Sequence, residues 1–173
     1  MTDFESALAK GKVSTDEAWA IFDALEPTTP GFMHGYWEGS PFPTGHPLDG
    51  ALEATGWRGK RFDSADDVYP LIFDDGQGGT FIVQPGRFMG KPSQGKAYER
   101  RGELETDAPA ARLRRVEHRG TVTTAMIYDD LPIIDLFRKV NDSMVLGVMD
   151  MRGLPLPYFF VLRRAGSPDQ AGG

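Results

Sequence analysis

The stretch T-G-H-P-L-D-G, residues 44–50, carries the side chain best suited to moving protons near neutral pH. His46 is held by Pro47 between turn glycines, with Asp49 three positions on. The unperturbed imidazole titrates close to neutrality, so a His46 on the rim of a cavity could act as acid or base, oriented by Asp49. The plain alternative is a turn histidine bonded to a backbone carbonyl. Two further carboxylates are candidates. Asp150 alternates with Met144, Leu146 and Val148. If that face points inward, its carboxyl sits in apolar surroundings and could donate a proton; a cap on the D-M-R-G turn explains it as well. Asp129 ends a strand before D-L-P, where an Asx turn accounts for it without chemistry. Asp135 and Arg138 read as an i, i+3 surface pair on a helix, worth about 0.2–0.5 kcal/mol.

Lys60 and Arg61 follow Gly59. They could hold a carboxylate or phosphate head group at the mouth of a barrel, or be solvated charges on an edge strand. Large apolar side chains recur through both halves of the chain: Phe42, Trp57, Phe62, Tyr69 and Phe73 in the first, Met126, Tyr128, Phe137, Met149 and Phe160 in the second. They would line a pocket for one hydrophobic small molecule, a lipid or terpenoid-like compound, or else make up the core. A cofactor-free isomerase, cyclase or hydratase working on such a molecule through His46 with Asp150 or Asp129 is the rival reading.

Other chemistry is disfavoured. Three histidines and no cysteine leave no disulfide, no thiolate, and no metal-ligand spacing such as H-x-x-x-H. No cofactor is expected; a haem held by one histidine in a greasy pocket is the weaker alternative. The nucleophile motifs G-x-S-x-G and S-x-x-K and the phosphate loop are missing. A net charge of −6 argues against a nucleic-acid partner. No apolar run reaches the roughly 18 residues of a membrane span, and the start lacks a signal-peptide core, so a cytoplasmic monomer or homodimer is expected.

The elements that must position these residues are mostly short strands. The 21 glycines and 13 prolines are scattered between apolar segments, the punctuation of many strands and turns. One helix is readable near the start: Ser14 and Glu17 have capping-box spacing, Ala18, Ile21, Phe22 and Leu25 follow, and Pro27 ends it. A second, short helix is predicted near 132–140, from apolar residues at 133, 136, 137 and 140 after Pro132. Residues 85–111 read as a long loop with a short strand around 97–101, and the tail from 166 to 173 as disordered. The whole is a mainly β fold, one antiparallel barrel domain over residues 1–165.

Three stretches together carry a family resemblance: G-Y-W-E-G with the following F-P-T-G-H-P-L-D-G-A-L, then M-I-Y-D-D-L-P-I-I-D-L-F-R-K-V, and finally V-L-G-V-M-D-M-R-G with Y-F-F-V-L-R-R. They resemble the bacterial and fungal GXWXG proteins with a C-terminal domain of the DUF4334 type. The first strand, with a short helix before it and an arginine on the last strand, is also similar to lipocalins and other calycins. That resemblance implies a small lipocalin-like barrel in which Gly35, Trp37 and Gly39 are structural. Trp37 would then pack under Arg163 or Arg164 of the closing strand, a cation–π contact of about 0.5–2 kcal/mol. It supplies no activity.

Overall fold

The structure, a computed structural model, describes residues 3–89 and 95–166. Two helices come first, α1 (Asp3–Lys10) and α2 (Thr15–Ala24). The expected capping box starts α2: the Glu17 N–H donates to Ser14 Oγ at 3.1 Å, and the Ser14 N–H donates to the Glu17 carboxylate at 2.7 Å. A two-residue strand β1 (Glu26–Pro27) and one turn of helix, α3 (Pro30–Met33), lead into β2 (Gly35–Pro41). Then come α4 (Ala51–Ala54), β3 (Trp57–Phe62), β4 (Val68–Asp74) and β5 (Thr80–Ile82). The long connection holds α5 (Pro85–Phe88), a 3-10 turn (Ala97–Arg100) and α6 (Arg101–Leu104). The expected strand near 97–101 is therefore helical. Five strands finish the fold: β6 (Ala111–His118), β7 (Thr121–Tyr128), β8 (Ile133–Asn141), β9 (Met144–Met151) and β10 (Tyr158–Ala165).

Eight of these strands close into an antiparallel barrel in the order β8-β7-β6-β4-β3-β2-β10-β9, with β9 pairing back onto β8. The seam between β2 and β10 is continuous from Tyr36–Ala165 to Pro41–Phe160. The opposite seam is thin. Strands β4 and β6 share the single pair Val68–Ala111, while β5 takes the rest of that β4 edge.

The segment expected as a helix near 132–140 is strand β8. Its apolar residues fit a helical stripe only because both faces of the strand are covered. Ile133 and Phe137 face the cluster that fills the barrel, whereas Ile134, Leu136 and Val140 face a second cluster under α1 and α2. Burial on both sides erases the alternation that marks a half-exposed strand, and β-branched Ile and Val decide the outcome. The same rule divides β9 and β10: Val145, Met149, Tyr158 and Phe160 point into the barrel, and Leu146, Val148 and Phe159 point at the helices. The tail expected to be disordered lies, from residue 167 on, outside the described residues. Among the described residues no helix is long and apolar enough to cross a membrane.

Candidate functional site

One end of the barrel is plugged around Trp37. The indole is fully buried, and its Nε1–H donates to the Met33 carbonyl at 2.8 Å. The Arg164 guanidinium lies 4.2 Å above the ring and donates to the carbonyls of His34 (2.8 Å) and Phe32 (2.7 Å). Arg163 points elsewhere, donating to Ser40 Oγ at 2.6 Å. Gly35 opens β2 at φ +117°, which an L side chain rarely adopts. Gly39 matters for space instead, because a Cβ there would enter the ring of Trp57; its absence lets that indole lie against the wall.

Above this plug sits a charge pair that crosses the barrel. Lys60 on β3 and Asp135 on β8 are four strands apart in either direction round the ring. Their side chains meet at 3.2 Å, 4% and 2% exposed. Asp135 points inward because it alternates with Ile133 and Phe137, and Lys60 because it alternates with Phe62. The ammonium also donates to the Pro70 carbonyl at 3.3 Å and lies 5.3 to 5.9 Å from the ring centres of Phe160, Trp57 and Tyr128. Phe160 is set back against Gly147, where a Cβ would come within 2.5 Å of its ring. Burial pushes the Lys60 ammonium toward its neutral form and the Asp135 carboxyl toward its protonated form, each opposed by the partner's charge.

The pair leaves hydrogen-bonding capacity unused. Asp135 Oδ1, Trp57 Nε1, Tyr158 Oη and both carboxylate oxygens of Glu53 are shut from solvent without a partner. The Tyr158 phenol is raised well above its ordinary value, by burial first and then by the charges of Glu53, Asp49 and Asp135. Tyr128 is raised likewise by burial, with Asp135 adding to it. Trp57 opens β3, Tyr158 opens β10, Tyr128 ends β7 and Glu53 lies on α4, and the charges of Glu53 and Asp135 both act on Tyr158. Buried polar atoms without a protein partner are costly unless another group pairs with them.

The expected catalytic residues lie elsewhere. His46 is buried, but its ring is committed to holding loops: the Leu48 N–H donates to Nδ1 at 3.0 Å, and Nε2 pairs with the Leu156 carbonyl at 3.2 Å. That pattern fixes the Nε2–H tautomer and ties the 44–50 turn to the 152–157 turn, with Tyr158 edge-on at 5.5 Å. Asp49 does not orient His46; its carboxylate accepts from the N–H groups of Thr44 and Gly45. Asp150 is exposed, because the face it shares with Leu146 and Val148 is the outer one. Asp129 is exposed and pairs with Arg112 at 2.9 Å.

Of the expected lining, Trp57, Phe62, Phe73, Met126, Tyr128, Phe137, Met149 and Phe160 belong to the barrel cluster. Phe42 does not; it stacks on Phe4 outside the wall at 5.7 Å. Tyr69 is half-buried on the outer face beneath Arg61, 4.2 Å from its ring. Lys60 is no edge charge, since β3 is paired on both sides. Asp135 and Arg138 are no helix pair: on a strand, residues three apart face opposite ways, and Arg138 donates outward to the Leu25 carbonyl at 2.8 Å. No histidine offers the barrel interior a free ring nitrogen for a haem. His34 is exposed, His118 packs on the outer face against Trp19 and Phe22, and both nitrogens of His46 are used. Among the described residues no three His, Asp or Glu side chains gather in a way that could hold a metal ion.

The family model described as GXWXG protein matches residues 20–78, and that of the domain of unknown function DUF4334 matches residues 109–164. A solved structure, a protein from Thermomonospora curvata, is 37% identical, with a TM-score of 0.67 over 94% of this chain and 95% of that one. This chain belongs to the GXWXG/DUF4334 family. No curated protein matches it. In this GXWXG/DUF4334 barrel the two matched regions share one closed sheet: the first supplies β2, β3 and β4, the second β6 to β10. Lys60 comes from the first region and Asp135 from the second, so the central pair exists only when both are folded together.

Proposed function

We propose that this protein binds a hydrophobic small molecule, lipid or terpenoid-like in character, inside its barrel, with one polar group of the ligand held at Lys60 and Asp135. The observation that carries this reading is the set of unpartnered buried atoms, Asp135 Oδ1, Trp57 Nε1 and Tyr158 Oη, in an otherwise aromatic lumen. An apolar ligand body suits Phe137, Phe160 and Met149, and one polar end would satisfy atoms that otherwise stand desolvated at about 1–3 kcal/mol each. The test is native mass spectrometry of protein purified from its own host, followed by titration of lipids and terpenoids with Trp57 fluorescence as the signal. A co-purifying apolar compound, or quenching lost in Trp57→Phe, is the expected result. No bound compound, and no thermal shift or quenching with any lipid or terpenoid, sinks the reading.

A second reading is favoured by the opposed pressures on the central pair. An amine and a carboxyl, each pushed toward neutrality in a water-poor lumen, form an acid–base couple suited to isomerisation or hydration without a cofactor. Lys60, Asp135 and Tyr128 are its residues, in place of His46, Asp129 and Asp150.

A further inference from the structure

We infer that the ligand is a carbonyl compound, an apolar aldehyde or ketone, and that Lys60 captures it covalently as an imine with Asp135 as proton carrier and counter-ion. This rests on the small-molecule reading above and names the ligand's chemical class. A lysine that only anchored a carboxylate ligand would have no need of its own carboxylate at 3.2 Å. An ion pair serving stability alone would be completed by hydrogen bonds, whereas Asp135 keeps Oδ1 unpaired. The amine is walled by Trp57, Tyr128 and Phe160, flat surfaces against which a conjugated or cyclic carbonyl compound could stack. No second cation lies within pairing distance of Asp135 among the described residues. Its negative charge is therefore matched to a single positive nitrogen, whether ammonium or iminium.

The chemistry balances without oxidant or reductant. Asp135 takes a proton from the Lys60 ammonium, leaving a neutral amine and a carboxylic acid, the direction in which burial already presses both groups. The Nζ lone pair adds to the carbonyl carbon as the C=O π pair moves onto oxygen. Proton transfer through Asp135 from nitrogen to that oxygen gives the carbinolamine. Asp135 then gives its own proton to that hydroxyl, the C–O bond breaks with the loss of one water, and the nitrogen lone pair forms C=N. The protonated imine keeps Asp135 as its counter-charge. A desolvated lysine beside a proton carrier is the arrangement this reaction needs.

The test uses cinnamaldehyde as probe, cinnamyl alcohol as its unreactive analogue, and cyanoborohydride to reduce any imine to a stable secondary amine. Expected is one reduced adduct per chain, mapped by peptide mass spectrometry to Lys60 in preference to the exposed Lys10 and Lys12, and lost in Lys60→Arg, which keeps the charge but cannot form the imine. Asp135→Asn should slow adduct formation at least tenfold at neutral pH in protein whose circular dichroism is unchanged. Quenching by both compounds, with no adduct at Lys60, overturns the imine and leaves the binding site standing. Labelling spread evenly over exposed lysines also overturns it. If neither compound quenches Trp57 nor labels Lys60, the inference fails, while the binding reading stands or falls on the lipid and terpenoid titration.

Discussion

Lys60 and Asp135 reach toward each other from opposite walls of the barrel and meet at 3.2 Å in its middle. At this pair both family regions, the barrel interior and two buried titrating groups coincide. It is also an expense for the fold, since the attraction between two buried charges can fall short of the hydration they give up.

That asymmetry is measurable. Lys60→Met or Asp135→Asn alone strands the partner in the lumen, and each should lower the free energy of unfolding by about 3 kcal/mol. The double replacement Lys60→Met with Asp135→Leu should recover most of that loss, or exceed the native stability. Urea unfolding of the four proteins closes the cycle. Single variants as stable as the native chain would mean that water reaches the pair.

The glycines separate by what stands opposite them. Gly59→Ala drives a methyl into the Trp37 carbonyl on the neighbouring strand, where backbone must move, and should cost about 3 kcal/mol. Gly39→Ala meets the Trp57 ring, a side chain that must shift to make room; it should cost about 1–3 kcal/mol and shift tryptophan emission. Gly31→Ala meets nothing within 4 Å and should be close to neutral. Thermal unfolding with fluorescence readout ranks the three.

His118 gives the outer face a pH dependence. It lines a cleft of about 230 Å³ with Trp19 and Asp150, and its Nδ1 is buried without a partner. Its pKa lies below 6.5, lowered by burial first and by Arg119 and Arg138, against the opposing charges of Asp150 and Asp23. Between that lowered value and 6.5 the unfolded chain binds more protons than the native one, so stability is full above 6.5 and falls as the solution is acidified through the window. His118→Gln should flatten this part of the profile, by about 1.4 kcal/mol for each unit of difference between folded and unfolded pKa. Urea midpoints for both proteins at pH 7 and pH 5 check it; parallel profiles would refute the assignment.

Much of the fold is readable in the chain because its signals are local. Ser14 and Glu17 announce a helix start in four residues; the contact of Trp37 with an arginine of the last strand is not local, and comes from the family resemblance, which leaves Arg163 and Arg164 open. Strand β8 reads as a helix because a strand buried on both faces has no period to show, and that reading hides Asp135 by giving it a helical partner in Arg138. Lys60 is obscured in another way. W-R-G-K-R-F looks like an edge strand, and only the closed ring shows that β3 has neighbours on both sides. The i, i+2 relation of Lys60 to Phe62 is the available clue. Tyr158 and Glu53 carry none, since their environment is made by residues distant in the chain.

The two seams of the sheet differ in a way that bears on how the protein is made. Strands β2, β3 and β4 are synthesised early, yet β2 gains its outer partner only when β10 emerges, and on the other side β4 is joined to β6 by the single pair Val68–Ala111. The β2 edge can therefore be closed only once the last strand of the chain has been made.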